Sequence, residues 1–306
     1  MLVHFGTQAL RAGWESAVVC IGTFDGVHLG HQEVVRTAIS KARSAGAPCV
    51  LATFDRHPAS VVAPHRAPRS VSSLGQNLDV FSSLGVDACI ILAFDEAMAA
   101  MPAQAFLDGI LRGSLRAKTV VVGHDFAMGH GREGDTAWLS SRIDTVVVPA
   151  FQVDGHRVSS SEVRSSVQEG DVARARTLLG RPFTLRGVVV RGQQLGREIG
   201  FPTANIALSS EVVVPGDGVY ACSCKTPFGF YRAATNVGVR PAVGGGPRTI
   251  EAYLVDYGGE SLYGRSVDLS FFERLRDEED FQDMDSLKCQ IAEDVRRVAA
   301  IEYATD

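Results

Sequence analysis

The sequence is poor in the features that would mark a membrane, nucleic-acid-binding or disulfide-built protein. No apolar run approaches the roughly 18 residues that a membrane span needs, and the N-terminal stretch carries acidic Glu15 and no small-residue cleavage site, so neither a span nor a signal peptide is expected. The 30 Lys and Arg against 35 Asp and Glu leave a formal net charge of −5, which gives no general attraction to nucleic acid or to an anionic membrane surface. Cysteines stand only at 20, 49, 89, 222, 224 and 289, mostly in apolar runs and without zinc-knuckle spacing, so they read as reduced core residues of a cytoplasmic protein. All 8 histidines lie at or before position 156. There is no G-x-x-x-x-G-K-[ST] loop and no H-R-D or D-F-G set, which excludes a P-loop enzyme and a protein-kinase fold. Internal repeats and low-complexity segments are missing as well.

What is present is enough apolar material for about two cores: 306 residues, 45% of them hydrophobic. The first half alternates strand-like runs (17–22, 48–54, 87–93, 118–122, 144–149) with helical patterns (28–45, 75–84, 102–112), which predicts an α/β parallel sheet covered by helices. A short helical region follows at 159–179. Past residue 183 the pattern becomes Val-, Tyr- and Phe-rich segments near 185–191, 218–225, 229–236, 249–256 and 266–273, separated by glycine and proline, which predicts an antiparallel β-barrel or sandwich. Phe281, Met284, Leu287, Ile291, Val295 and Val298 predict one amphipathic helix over 279–302, with the acidic run Asp277 to Asp280 as its solvated first turn. The pattern change near Arg181-Pro182 divides the chain into domains 1–182 and 183–306.

A strand ending at Ile21-Gly22 and a helix starting near His28 put the intervening loop at the carboxyl edge of a parallel sheet, where open α/β folds bind ligands. Gly22, Gly26 and Gly30 would let backbone approach a bulky anion, and the helix adds unpaired N–H groups and the positive end of its dipole. His28 and His31 are three apart, on neighbouring turns of one helix face, and can both donate to phosphate oxygens. A helix-capping loop with two ordinary histidines is the competing reading. His57, at the end of a second parallel strand, is a third phosphate candidate. Asp125 and Phe126 lie on the loop after strand 118–122 at the same edge, although Phe126 could be plain core. In the second half Glu251 is an isolated acid in the apolar run 249–255, exposed by alternation or functional. Thr203 and Asn205 offer neutral oxygens two residues apart after a proline turn, suited to a Mg²⁺ ion bridging ATP phosphates.

Gly22-Thr23-Phe24-Asp25-Gly26-Val27-His28-Leu29-Gly30-His31 resembles the signature of the HxGH nucleotidyltransferases in the version found in bacterial FAD synthetases. Thr53 to Pro58, Val122 to Phe126 and Ser159-Ser160-Ser161-Glu162-Val163-Arg164 resemble that family's further motifs. Gly200-Phe201-Pro202-Thr203-Ala204-Asn205, Asn236 to Pro241, Glu251, Leu262 to Gly264, and Arg274 to Arg276 with Phe281 resemble a fused riboflavin kinase. The resemblance covers nearly the whole chain in order and implies a bifunctional riboflavin kinase and FMN adenylyltransferase, with ATP and flavins as substrates and Mg²⁺ as cofactor. It implies that His28, His31 and Arg164 hold charge on the transferring phosphates, with Gly22, Thr23, Phe24, Asp25, Gly30, His57, Ser160 and Ser161 around the nucleotide. It assigns Asp125 and Phe126 to the flavin end, Glu251 to the catalytic carboxylate, Gly200 and Pro202 to the kinase's ATP loop, and Thr203 and Asn205 to the metal. Arg276 would reach flavin or nucleotide, or simply lie at the surface.

Five residues depart from the family pattern: Arg56 stands where proline is usual, Asn77 for lysine, Ala127-Met128 for arginine and phenylalanine, and Ala242 for threonine. They leave room for a paralogue with a single activity or a modified flavin. Another HxGH enzyme, such as a cytidylyltransferase or a pantetheine-phosphate adenylyltransferase, would explain only residues 17–165. A non-catalytic flavin-binding regulator would not need the phosphate-binding set. Nucleic acid and membrane are not expected partners.

Overall fold

The structure, a computed structural model, describes the chain except for residues 8–12, 193–195, 197–198, 210, 240–247, 280 and 302–306. It divides into two compact units, Met1–Ser160 and Ser161–Asp306. In the first, the apolar runs become strands β1 (Leu2–Phe5), β2 (Ala17–Ile21), β3 (Cys49–Phe54), β4 (Ala88–Leu92), β5 (Ala117–Gly123) and β6 (Asp144–Val148), ordered β1-β4-β3-β2-β5-β6 in one sheet. Every pair in it is parallel. Because the order runs from β2 outward in both directions, the crevice at a topological switch point opens beyond the carboxyl end of β2, where the signature loop begins.

All five residues of β2 are buried, and their alternation feeds two cores. Ala17, Val19 and Ile21 pack with Leu107 and Leu111 on one face; Val18 and Cys20 pack with Val34, Val35 and Phe81 on the other. Each fully buried Val, Leu or Ile there is worth about 1.5–3 kcal/mol, which makes the strand a firm base for its terminal loop. The second face is covered by helices α1 (Leu29–Ala45) and α2 (Leu74–Leu84), the latter opened by a reciprocal Ser73–Gln76 capping box. The helical pattern expected at 102–112 starts at Ala103 and runs to Ser114, its last nine residues wound as a π-helix. Strand β1 was not expected: four residues with no period-2 pattern are too short to read, and pairing with β4 creates the strand.

Helices α3 (Ser160–Gln168) and α4 (Val172–Leu179) lead into a closed barrel of β7 (Phe183–Val190), β8 (Thr203–Ala207), β9 (Gly218–Thr226), β10 (Gly229–Val239), β11 (Arg248–Leu254) and β12 (Ser266–Arg276). Its order is β7-β8-β11-β10-β9-β12, closed by β12 on β7 and antiparallel throughout. Packing separates the units at Ser160, ahead of the change of pattern near residue 182, because α4 packs on β12 and β7. Strand β8, which carries Thr203 and Asn205, was not among the expected strands; a segment with two polar residues in five has no apolar period to announce it, and its ladder to β11 decides the conformation.

The last helix, α5 (Met284–Ala300), packs Val298 against Val219, Ala221, Ala234 and Leu275 on the barrel's outer face. It starts later than expected. Asp283 is its N-cap, accepting from the Ser286 N–H at 2.7 Å, so Phe281 and the acidic residues Asp277 to Glu279 precede the helix instead of forming its first turn. Asp280 lies outside the described residues. Five cysteines are buried, but Cys289 is exposed on α5, correcting its reading as a core residue.

Candidate active sites

The signature loop is held by its own side chains. Phe24 adopts a left-handed backbone (φ 50) and turns its ring into the core, edge-on to Phe81 at 5.7 Å and to His31 at 5.4 Å. Asp25 is buried, and its Oδ1 accepts from the Val71 N–H at 2.8 Å. The Asp25 carbonyl accepts from Ser160 Oγ at 2.9 Å. Gly26 is required for the same closure: its φ is +76, and a Cβ there would lie 2.6 Å from Val71 Cγ1. The space a side chain at Gly22 or Gly26 would take is filled by Phe24 and Val71 of the chain itself. The Phe24 ring and the Asp25 carboxylate likewise fix the loop.

His28 is not the first helical residue but the N-cap of α1, and its Nδ1 accepts from the His31 N–H at 3.3 Å. An accepting Nδ1 carries no proton, so the ring N–H of His28 is at Nε2. The two imidazoles stack with centroids 3.6 Å apart and an interplanar angle of 17°. Gly30 admits this stack, because a Cβ would come within 3.3 Å of the His28 ring and 3.4 Å of Phe151 Cβ. The Nδ1 of His31 is shut from solvent and has no hydrogen-bond partner among the described residues. Burial first, and the neighbouring His28 second, push the His31 pKa well below the ordinary histidine range. His31 is therefore neutral at pH 7.

The structure thus brings together Gly22, Thr23, Gly30, His28, His31 and Ser160 around the carboxyl end of β2, with Thr53 Oγ1 donating to the Thr23 carbonyl at 3.2 Å. Arg164 stands one helical turn beyond Ser160 on α3, and Ser161 is exposed. His57 Nδ1 accepts from the Ala59 N–H at 3.1 Å, so one ring nitrogen has a local task. Arg56 pairs with Asp55 at 3.0 Å. Asp125 is exposed and ion-paired with Arg157, while its carbonyl accepts from Arg132 Nη2 at 3.0 Å. Phe126 is half-buried against the sheet core, in keeping with the core alternative. Asn77 is buried and accepts from Ser72 Oγ at 2.6 Å. A cavity of about 430 Å³ lies elsewhere, at the amino ends of the strands beside Leu2, Pro48 and Ala88.

On the barrel, Asn205, Glu251 and Asn236 are paired in register across β8, β11 and β10, so their side chains form one row on one face. Ile250, Ala252 and Leu254 point into the barrel, which places Glu251 on the outside by alternation. Thr203 Oγ1 reaches Glu251 Oε2 at 3.4 Å, and Phe201 sits edge-on to Tyr253 at 5.4 Å. The opposing segment comes close: any side chain at Gly192 would overlap the Asn205 amide, and the Phe201 N–H donates to the Gly196 carbonyl at 2.7 Å. One carboxylate beside neutral oxygens fits an ion that keeps several waters and takes its remaining ligands from phosphates. Gly200 and Pro202 lie at the entry to β8. Arg240, Pro241 and Ala242 lie outside the described residues.

Arg276 does not simply lie at the surface: its guanidinium grips Asp294 of α5 in a two-pronged pair at 2.8 and 3.1 Å, with Asp294 2% exposed. Sequence reasoning missed Asn236 as a site residue, since only the strand register shows that it stands opposite Glu251.

Comparison with known proteins agrees with this division. Residues 10–162 match the FAD synthetase family model and residues 179–302 the riboflavin kinase model. The bifunctional riboflavin kinase/FMN adenylyltransferase of Escherichia coli (strain K12) is 36% identical over 293 residues, 93% of this chain and 92% of that protein. The protein of the same description from Bacillus subtilis (strain 168) is 32% identical over 295 residues, covering 94% and 92%. A crystal structure described as a macrolide-efflux protein from Streptococcus pneumoniae superposes with a TM-score of 0.90 at 28% identity, covering 99% of this chain and 100% of that one. The chain belongs to the family of bifunctional riboflavin kinases/FMN adenylyltransferases.

Proposed function

We propose that this chain phosphorylates riboflavin to FMN on its barrel and adenylylates FMN to FAD on its parallel-sheet unit, using one ATP in each step. The observation that carries the reading is the coexistence of the stacked His28–His31 pair at a sheet switch point with the Asn205, Glu251 and Asn236 row on the barrel. We assign FMN adenylylation to 1–182 and riboflavin phosphorylation to 183–306.

In adenylyl transfer the phosphate of FMN attacks the α-phosphorus of ATP, and pyrophosphate leaves. That nucleophile is already ionised at neutral pH, so the protein needs no nucleophile of its own, only positioning and charge stabilisation. His28 and His31 donate to the phosphates, Arg164 with Ser160 and Ser161 grips them, and the amide groups at the start of α1 add dipole. His57 serves the same phosphates; Asp125 and Phe126 border the flavin.

Phosphorylation of riboflavin differs, because a neutral alcohol must attack the γ-phosphorus. Glu251 accepts the hydroxyl proton as it attacks, and ADP leaves as the bond from the γ-phosphorus to the bridging oxygen breaks. Thr203 and Asn205 would hold Mg²⁺, which when bound supplies charge neutralisation for the ATP phosphates. Efflux, named in the description of the structural neighbour, is not carried over: no described residue argues for transport. The test is to incubate the purified chain with riboflavin, ATP and Mg²⁺ and to resolve products by chromatography. FMN followed by FAD is expected, and FMN supplied directly should yield FAD. Absence of both products would overturn the reading.

A further inference from the structure

Residues 277–283, between β12 and α5, were expected to open a helix, and instead one of them folds back over the barrel. Glu278 lies against Gly238 of β10, so closely that a methyl group at Gly238 would overlap its carboxylate. From there Glu278 Oε1 accepts from Asn236 Nδ2 at 3.0 Å. A carboxylate can only accept, so this bond fixes which way the Asn236 amide faces: Nδ2 toward Glu278, Oδ1 away from it. Asn236 is the residue directly across from Glu251 in the strand pairing, on the same barrel face. The anchor behind Glu278 is firm, since Arg276, two residues earlier, is clamped to buried Asp294 of α5.

We infer that Glu278 is a positioning residue for riboflavin phosphorylation, acting through Asn236 to orient the amide beside Glu251. This inference rests on the kinase reading above. Fixing one amide orientation sets whether an acceptor or a donor stands next to the carboxylate that takes the hydroxyl proton. It also makes the end of the chain a support for the kinase site, through Asp294, Arg276, Glu278 and Asn236 in turn.

The test uses the full-length chain and steady-state riboflavin phosphorylation, with FMN adenylylation as the internal control. Glu278→Ala should lower kcat about tenfold with a smaller change in KM, the size expected for losing one hydrogen bond to a charged acceptor. Glu278→Gln, which can still present an acceptor oxygen to Asn236, should keep kcat within about threefold of the parent. Gly238→Ala should reproduce the loss, because its methyl group displaces the flexible Glu278 side chain while the strand backbone stays unstrained. Combining Glu278→Ala with Asn236→Ala should cost no more than Asn236→Ala alone, since the two act as one unit. Full kcat in Glu278→Ala, failure of Gln to rescue, or a double variant whose losses multiply would each overturn the inference. A parent chain that makes FAD from FMN but no FMN from riboflavin would instead overturn the kinase reading beneath it.

Discussion

Gly26→Ala tests whether the signature loop is held by internal packing in the way the structure shows. The new Cβ would sit 2.6 Å from Val71 Cγ1 and 2.8 Å from Val71 Cβ, on a backbone with φ +76. A left-handed backbone costs an alanine about 1–2 kcal/mol, and overpacking a closed site about 1–3 kcal/mol, so the sum is roughly 2–5 kcal/mol. Val71 is 1% exposed and cannot swing into solvent. Its N–H is also the donor to Asp25, so relief of the clash must pull on the bond that fixes the loop. Gly46→Ala is the matched control: φ is +61 but nothing lies within 4 Å, so only the backbone cost of about 1–2 kcal/mol applies. Urea unfolding should show the larger loss for Gly26→Ala, and FAD formation from FMN should fall more than tenfold while riboflavin phosphorylation is kept. Equal stability of the two variants, or unimpaired FAD formation in Gly26→Ala, would refute the reasoning.

Three further outcomes follow. Glu251→Gln should cut riboflavin phosphorylation by about 10²–10⁴-fold, the usual contribution of a proton acceptor, and leave FMN adenylylation intact; an unaffected kinase rate would remove Glu251 from the mechanism. Because the folded His31 resists protonation, its contribution to stability is full above about pH 6.5 and shrinks as pH falls below that value, where the unfolded chain gains a proton that the folded one refuses. Urea midpoints from pH 7.5 to 5 should therefore fall more steeply for the parent than for His31→Gln, and parallel slopes would contradict this. Asp294→Ala leaves Arg276, 14% exposed, without its carboxylate and should destabilise the barrel unit by about 3–5 kcal/mol in thermal melting; an unchanged Tm would show that the pair does not anchor α5.

The sheet unit was legible because its strands are continuous apolar runs: Ala17–Ile21 and Ala88–Leu92 are buried at every residue, and such runs bounded by glycine and helical patterns have few alternatives. Strand β8 was not, since Thr203 and Asn205 face outward and only pairing with Tyr253 and Glu251 makes the segment a strand. The same limit hid Asn236 and Glu278, whose meeting depends on barrel closure and on a missing side chain at Gly238. At the signature loop the sequence indicated that His28 and His31 belong together but not how: a helix face was expected, and a capping bond with stacked rings was found. The glycines there were legible as special positions, yet the pressure on Gly22 and Gly26 comes from Phe24 and Val71, contacts that no local pattern reveals.

The most direct test is the product distribution of His31→Ala supplied with riboflavin, ATP and Mg²⁺. If one unit holds the phosphates for adenylyl transfer and the other performs the phosphorylation, FMN accumulates at the parent rate and FAD does not form. FAD formation at the parent rate, or loss of FMN and FAD together, would contradict two separate sites on one chain.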